Sequence, residues 1–204
     1  RLAQMCALNI IIHMDHLMDL ISYYESNGLF DEIIKVLEGG INLERAHNGI
    51  YTQLGMMYAK YNEDKLMEHI KLFWNKITIP QLINECKANE HWNEVVFLLR
   101  HNDKADVAII TMIEHSAECW DHSLFKETMQ QARKTDVYYK AIEFYLSIQP
   151  LLLNDLLLDL VKQVDHGRVV QLVGDDNIAL IVKYLQHVQR DNVTNVNEAL
   201  NAYY

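Results

Sequence analysis

The sequence predicts an all-α chain, an α-solenoid or superhelix of about fourteen short helices stacked as antiparallel hairpins. Three observations carry this. Apolar residues recur at helical spacing in many short runs and nowhere sustain the alternation of a strand. Only two prolines and seven glycines interrupt 204 residues. No run can hide its apolar stripe alone, so each hairpin needs a similar neighbour on either side. Phe30, Tyr61 and Trp92, each at or just ahead of a helix start, stand 31 residues apart, a hairpin-length period that then drifts. A compact helical bundle is the alternative architecture.

From the N-terminus, helical spacing runs from Leu2 to His13 and from His16 to Tyr24, where Asn27-Gly28 ends the helix as glycine does after a C-terminus. Phe30, Ile33, Ile34 and Leu37 mark the next face, ended by Gly39-Gly40. The stretch Leu43 to Trp74 then reads as one complete hairpin. Ala46, Ile50, Leu54, Met57, Tyr58 and Tyr61 mark its first helix, which begins at Arg45. Leu66, Ile70, Phe73, Trp74 and Ile77 mark the second, after a start at Asn62 with Glu63 and Asp64 behind it. Trp74, Trp92, Met56 and Met57 are expected in the core.

Thr78 with Gln81 three residues on reads as a capping box, with Pro80 in the first turn of a helix that carries Leu82, Ile83 and Cys86 inward. Trp92, Val95, Val96 and Leu99 form the next face, Asn102-Asp103 the turn, and Val107, Ile110 and Ile113 the face after that. Periodicity lapses from Ser116 to His122, which leaves Trp120 in a loop before Leu124, Phe125 and Met129 resume it.

Thr135-Asp136 is read as the cap of a helix carrying Tyr138, Ala141, Ile142 and Tyr145, ended before Pro150. Leu151 to Val164 is so rich in leucine that it is expected to be the most buried helix. Asp165 and Gly174 bracket a short helix through Val169 and Val170. Ile178, Ile181, Val182, Leu185 and Val188 mark another, and Asn195 with Glu198 marks a last start.

Charge excludes some functions. Asp and Glu number 28 against 18 Lys and Arg, a net charge of −10, which argues against nucleic acid as a partner because phosphate binding needs a basic face. No apolar run approaches the roughly 18 residues of a membrane span. Cys6, Cys86 and Cys119 are odd in number and far apart, which fits reduced thiols in a cytoplasmic setting. Arg1-Leu2-Ala3 carries neither an initiator methionine nor a signal-peptide pattern, so a piece of a longer chain is expected.

No P-loop, nucleophile elbow or zincin motif occurs, and no enzyme activity, metal or cofactor is expected. His13, Asp15 and His16 lack a third ligand at suitable spacing, so a helix start at Asp15 explains them. Ten histidines spread along the chain would make association pH-dependent between about 5 and 7 if some lie at an interface. Trp120, in its non-periodic segment beside Asp121 and His122, is a candidate partner contact, against the plainer reading of a loop plug.

Several strings carry a resemblance: Leu43 to His47 (LERAH), Phe73-Trp74, Ile79-Pro80, Ala108 to Met112 (AIITM), Phe144 to Leu146 (FYL), Pro150 to Leu157 (PLLLNDLL) and Val196 to Asn201 (VNEALN). In this order, and across the whole chain, they resemble the clathrin heavy-chain family in its proximal leg. The resemblance implies a segment of the three-legged scaffold that coats budding vesicles on the cytoplasmic face of coated pits. It implies repeats of about five hairpins, with residues 1–72 the C-terminal part of one repeat and 73–204 most of the next in one continuous solenoid. Phe73 and Trp74 would splice the two cores.

The family's adaptor-recruiting propeller and trimerisation hub are not expected in this segment. Its implied partners are the clathrin light chain and other heavy-chain legs in the lattice, with no nucleic acid and no direct membrane insertion. By correspondence with the family pattern, the light-chain contacts fall at Trp120, Lys126, Lys65 and Lys76. Asp121 stands where a basic residue is expected, so no charge contact is implied there. A vacuolar-sorting or vesicle-tethering solenoid is the alternative reading, and a helical enzyme with a histidine-carboxylate site a third.

Overall fold

A computed structural model describes residues 14–43, 47–191 and 193–204, with the side chains of 14 and 15 outside that description. The expectations for Leu2 to His13, Cys6, the Asp15 side chain and the helix start at Arg45-Ala46 lie outside the described residues. Fourteen α-helices and four short 3-10 helices are present among them, and no strand. The chain divides into two compact units, residues 1–102 and 103–204.

In the first unit, α1 (Met14–Ser26), α2 (Phe30–Gly40), α3 (Gly49–Tyr61), α4 (Leu66–Phe73), α5 (Ile79–Ala88) and α6 (Trp92–His101) follow one another. Each packs on helices one or two places along the chain: α2 on α1 and α3, α5 on α3 and α6, α4 on α3 and α6. Neighbour-only packing of short antiparallel helices is the arrangement of an α-solenoid. The turn read at Asn27-Gly28 uses the left-handed backbone that glycine permits. Gly28 has φ +70°, and the Leu29 amide reaches back to the Tyr24 carbonyl at 2.9 Å, ending α1.

Close approach of α3 to its neighbours depends on Gly55. A Cβ there would stand 3.2 and 3.3 Å from the Leu82 methyls of α5 and 3.4 Å from the His69 ring of α4. Leu54, Met57, Leu66, Ile70 and Leu82 of these three helices are all buried. Trp74 is not core: it is 40 % exposed, its indole tilted over His101 with centroids 5.1 Å apart. Phe73, Met56 and Trp92 are half-buried. The helical stripe turns away just past α4, so Ile77 takes the buried position instead.

Thr78 precedes α5 as expected, but its hydroxyl makes no capping bond; its amide donates to Thr52 Oγ1 at 2.9 Å, tying the start of α5 to α3. Thr135 opens its helix from the first turn, with Lys134 at the cap position. There the Asp106 carboxylate accepts from the Arg133 and Lys134 amides at 3.0 and 3.1 Å.

The second unit holds α7 (Ala105–Glu114), α8 (Ser116–Cys119), α9 (His122–Met129), α10 (Thr135–Ile148), α11 (Leu153–Asp159), α12 (His166–Val173), α13 (Val182–Val188) and α14 (Thr194–Tyr203). Here too contacts run between near neighbours, α7 with α9 and α10, α10 with α11 and α12, α11 with α13, α12 with α14. Two expectations are corrected. The inward face of α7 is Ala105, Ala108, Ile109 and Met112, while Val107 is 42 % exposed. A helix apolar on most of its circumference leaves its buried side to its neighbours. The leucine-rich stretch is not one deeply buried helix. A 3-10 turn at Pro150–Leu152 breaks it; Leu153, Leu156, Leu157 and Leu160 go inward, and Leu151 is 88 % exposed.

Candidate partner-binding site

The segment between α8 and α9 is built by two extended residues. Trp120 (φ −85°, ψ 127°) and Asp121 (φ −134°, ψ 135°) leave the helical region, and the Asp121 carboxylate accepts from the Leu124 amide at 2.8 Å. That is an N-cap. It starts α9 at His122 and lays Trp120 across α10, where the indole meets Tyr145 and Phe144 edge-on at 5.9 and 6.1 Å between centroids. Trp120 is half-buried, and its indole N–H is enclosed without a hydrogen bond of good geometry, close to the Tyr145 hydroxyl. The side chain therefore plugs the loop against α10 while part of it remains accessible.

His122 joins three elements. Its Nδ1 lies 2.8 Å from the hydroxyl of Tyr145, and its Nε2 2.8 Å from Asp155 Oδ2 on α11. One turn further along α9, Lys126 Nζ reaches the same Asp155 oxygen at 2.6 Å and Asp159 Oδ2 at 2.9 Å. Burial works against the charge on Lys126, but its bonds to Asp155 and Asp159 outweigh that and hold its pKa above the ordinary value. Lys126 first and His122 second hold the Asp155 carboxyl below its ordinary range. Burial pushes the hydroxyl of Tyr145 up.

The same arrangement recurs once in this unit. Asp165 caps α12 through the Arg168 amide at 2.7 Å, and His166 sets Nδ1 2.7 Å from the buried Tyr184 hydroxyl and Nε2 3.3 Å from Asp191. At these two helix starts the Asp-His dipeptide is thus a clasp. The aspartate caps the helix, and the histidine bridges a tyrosine and a distant carboxylate.

Lys65 and Lys76 belong to the first unit. Lys65 Nζ is 2.7 Å from Glu38 Oε1, which also accepts the Tyr58 hydroxyl at 2.7 Å. Burial pushes the Glu38 carboxyl up, yet Lys65 and Tyr58 together bring it below its ordinary range. Lys76 Nζ lies over the Tyr51 ring, 4.7 Å from its centroid, and donates to the Tyr51 hydroxyl at 3.2 Å. Tyr51 and Tyr58 stand seven residues apart, on one face of α3.

The structure therefore brings Trp120 and Lys126 into one connected cluster, while Lys65 and Lys76 lie in the other unit. Sequence reasoning missed Tyr145, Asp155, Asp159 and Glu38 as partners of these residues. The Asp-His pair, which the sequence carries at 15–16, 121–122 and 165–166, was the available signal.

Among the described residues no group of three or more His, Cys, Asp or Glu is placed to hold a metal ion. Cys86 and Cys119 are buried free thiols, pushed by burial to about 12 and about 11, so neither is a ready nucleophile near neutrality. No described helix is long and apolar enough to cross a membrane.

A family model for the region found in clathrin and VPS proteins matches residues 8–153. A clathrin heavy chain of Dictyostelium discoideum is 50 % identical over all of this chain and 12 % of its own length. Clathrin heavy chain 1 of Arabidopsis thaliana is 46 % identical, again over 100 % of this chain and 12 % of its own. A clathrin heavy chain of Drosophila melanogaster is 44 % identical over 98 % of this chain and 12 % of its own. The chain thus spans about one eighth of the length of these curated relatives.

Proposed function

This chain belongs to the clathrin repeat family, the region shared by clathrin and VPS proteins, and from that premise we propose that it is a scaffold segment of a clathrin heavy-chain leg. Its work on this reading is mechanical. Stacked hairpins that touch only near neighbours yield a little at each interface and resist along the stack, so small rotations let legs meet in coats of different curvature. The identity of 50 % along the whole chain carries the reading. We place the boundary between two repeats at residues 72 and 73, close to the end of α4.

The proposed partners are the light chain and other heavy-chain legs, at the cytoplasmic face of coated pits and vesicles, without catalysis. The light-chain surface centres on Trp120 and Lys126, an aromatic anchor beside a cation, with Lys65 and Lys76 as a separate pair of contacts. An amphipathic helix laid along such a face would use apolar and acidic residues a turn apart. Trp120→Ala combined with Lys126→Glu is expected to weaken binding of a light-chain helix by about tenfold or more in a pull-down. Binding equal to wild type removes the site.

The family match includes VPS proteins, so a tethering or sorting solenoid is the second reading. A wild-type chain that binds no light-chain helix, and whose parent protein forms no cages by electron microscopy, would favour it.

A further inference from the structure

Asp155 Oδ2 is claimed twice, by Lys126 Nζ at 2.6 Å and by His122 Nε2 at 2.8 Å. Lys126 has a second seat on Asp159 at 2.9 Å; the Nε2 of His122 has Asp155. With His122 neutral, Tyr145 donates its O–H to Nδ1 and Nε2–H donates to Asp155. The groups joined by these bonds, Asp155 and Asp159 against Lys126, then carry an excess of one negative charge.

The surroundings of the ring define what a proton would meet. From α10 it faces the Tyr145 hydroxyl, from α11 Asp155 with Asp159 behind Lys126, from its own helix Lys126 and the capping Asp121, and from the preceding turn the Trp120 indole, 6.3 Å between centroids. Helix α7 packs on α9 and turns its Asp106 to the Arg133 and Lys134 amides.

We propose that His122 is a proton gate on the Trp120 and Lys126 surface, closed to acidic partners when neutral and open to them when charged. A partner that uses Lys126 must bring a carboxylate. It meets an excess negative charge while His122 is neutral, and Lys126 is held by two aspartates. A proton on His122 removes the excess and lets the imidazolium keep Asp155, so that Lys126 is left with Asp159 alone. Histidine is the side-chain type whose charge can change between pH 5 and 8. Binding and protonation are linked, so a bound acidic partner in turn favours the charged ring.

The inference rests on the proposed light-chain surface, and its test separates the two. Affinity of the light-chain helix is measured at low salt from pH 5.8 to 7.8 for the wild-type chain and for His122→Gln. The wild type is expected to bind about 3- to 10-fold tighter at pH 5.8, and His122→Gln to bind with a flat profile. A His122→Gln variant that retains the full pH dependence overturns the gate, as does a flat wild type that binds. If the helix binds at no pH, the partner reading has failed and the gate is judged alone by NMR. The Lys126 side-chain signals are then expected to move with the His122 titration midpoint, and signals that stay still through that midpoint overturn it.

Discussion

His69 in the first unit and His122 in the second are both bound through Nε2, yet they do different work. His69 is 5 % exposed, with Nε2 2.8 Å from the Tyr51 carbonyl and its ring against Tyr58 and Phe73. It meets no carboxylate among those contacts and behaves as a core residue with a hydrogen bond. His122 meets a tyrosine on one side and a carboxylate at the surface on the other. The same residue type is a seal in one unit and a bridge in the other. The difference lies in what the neighbouring helix places against Nε2, a main-chain carbonyl for His69 and a carboxylate for His122.

The largest effect that tests this contrast is truncation. His69→Ala should cost the first unit about 2–4 kcal/mol, through a cavity beside Gly55 and the loss of the Nε2 bond to the Tyr51 carbonyl. His122→Ala should cost the second unit about 1 kcal/mol. Amide exchange in α3 and α4 against α9 to α11 reads both, and equal losses would break the contrast.

Next in size is acid sensitivity. Burial lowers the pKa of His69 in the fold, and its bond to the Tyr51 carbonyl only partly offsets this. The unfolded chain then binds a proton that the folded chain refuses. Stability of the first unit should therefore fall as pH drops below the ordinary histidine value of 6.5, and level off below the depressed one. His69→Phe should flatten that slope in urea titrations followed at two pH values. An unchanged slope would assign it elsewhere.

The smallest effects concern the lysine pairs. The Lys126 side chain is 21 % exposed and that of Lys65 51 %, so screening weakens the second more. Lys126→Met is expected to cost about 0.5–1 kcal/mol and Lys65→Met at most about 0.5 kcal/mol. The carboxyls of Asp155 and Glu38 are both held below their ordinary values of 3.8 and 4.5, so each pair stabilises above those values and is lost as pH falls through the depressed ones. Thermal melts of the two variants from pH 2 to 6 sharpen the comparison if the Lys126 variant loses more of its acid transition.

Much of the fold was legible because local rules act within a few residues. The breaks at Gly28, Asp103 and Gly174 stand where read, with φ of +70°, +53° and +72°. Asp165 caps the helix it was expected to cap. Trp74, Val107 and Leu151 were misread for one reason. Where apolar residues cover most of a helix or crowd its end, periodicity does not say which of them faces a neighbour. The site was half legible. Trp120 was singled out as a candidate by its break in periodicity and by resemblance, and Lys126 by resemblance alone, but the groups that hold them were not.

The sequence by itself determined the helical class, the hairpin length and much of the aliphatic core, since a period of 3.6 residues and a turn residue are properties of adjacent positions. Only the tertiary structure decided that His122 meets residues 23 and 33 positions away and that Lys126 shares its aspartate. Those separations are set by how successive hairpins stack, and stacking depends on the packing of whole helix faces rather than on the spacing of any one pair.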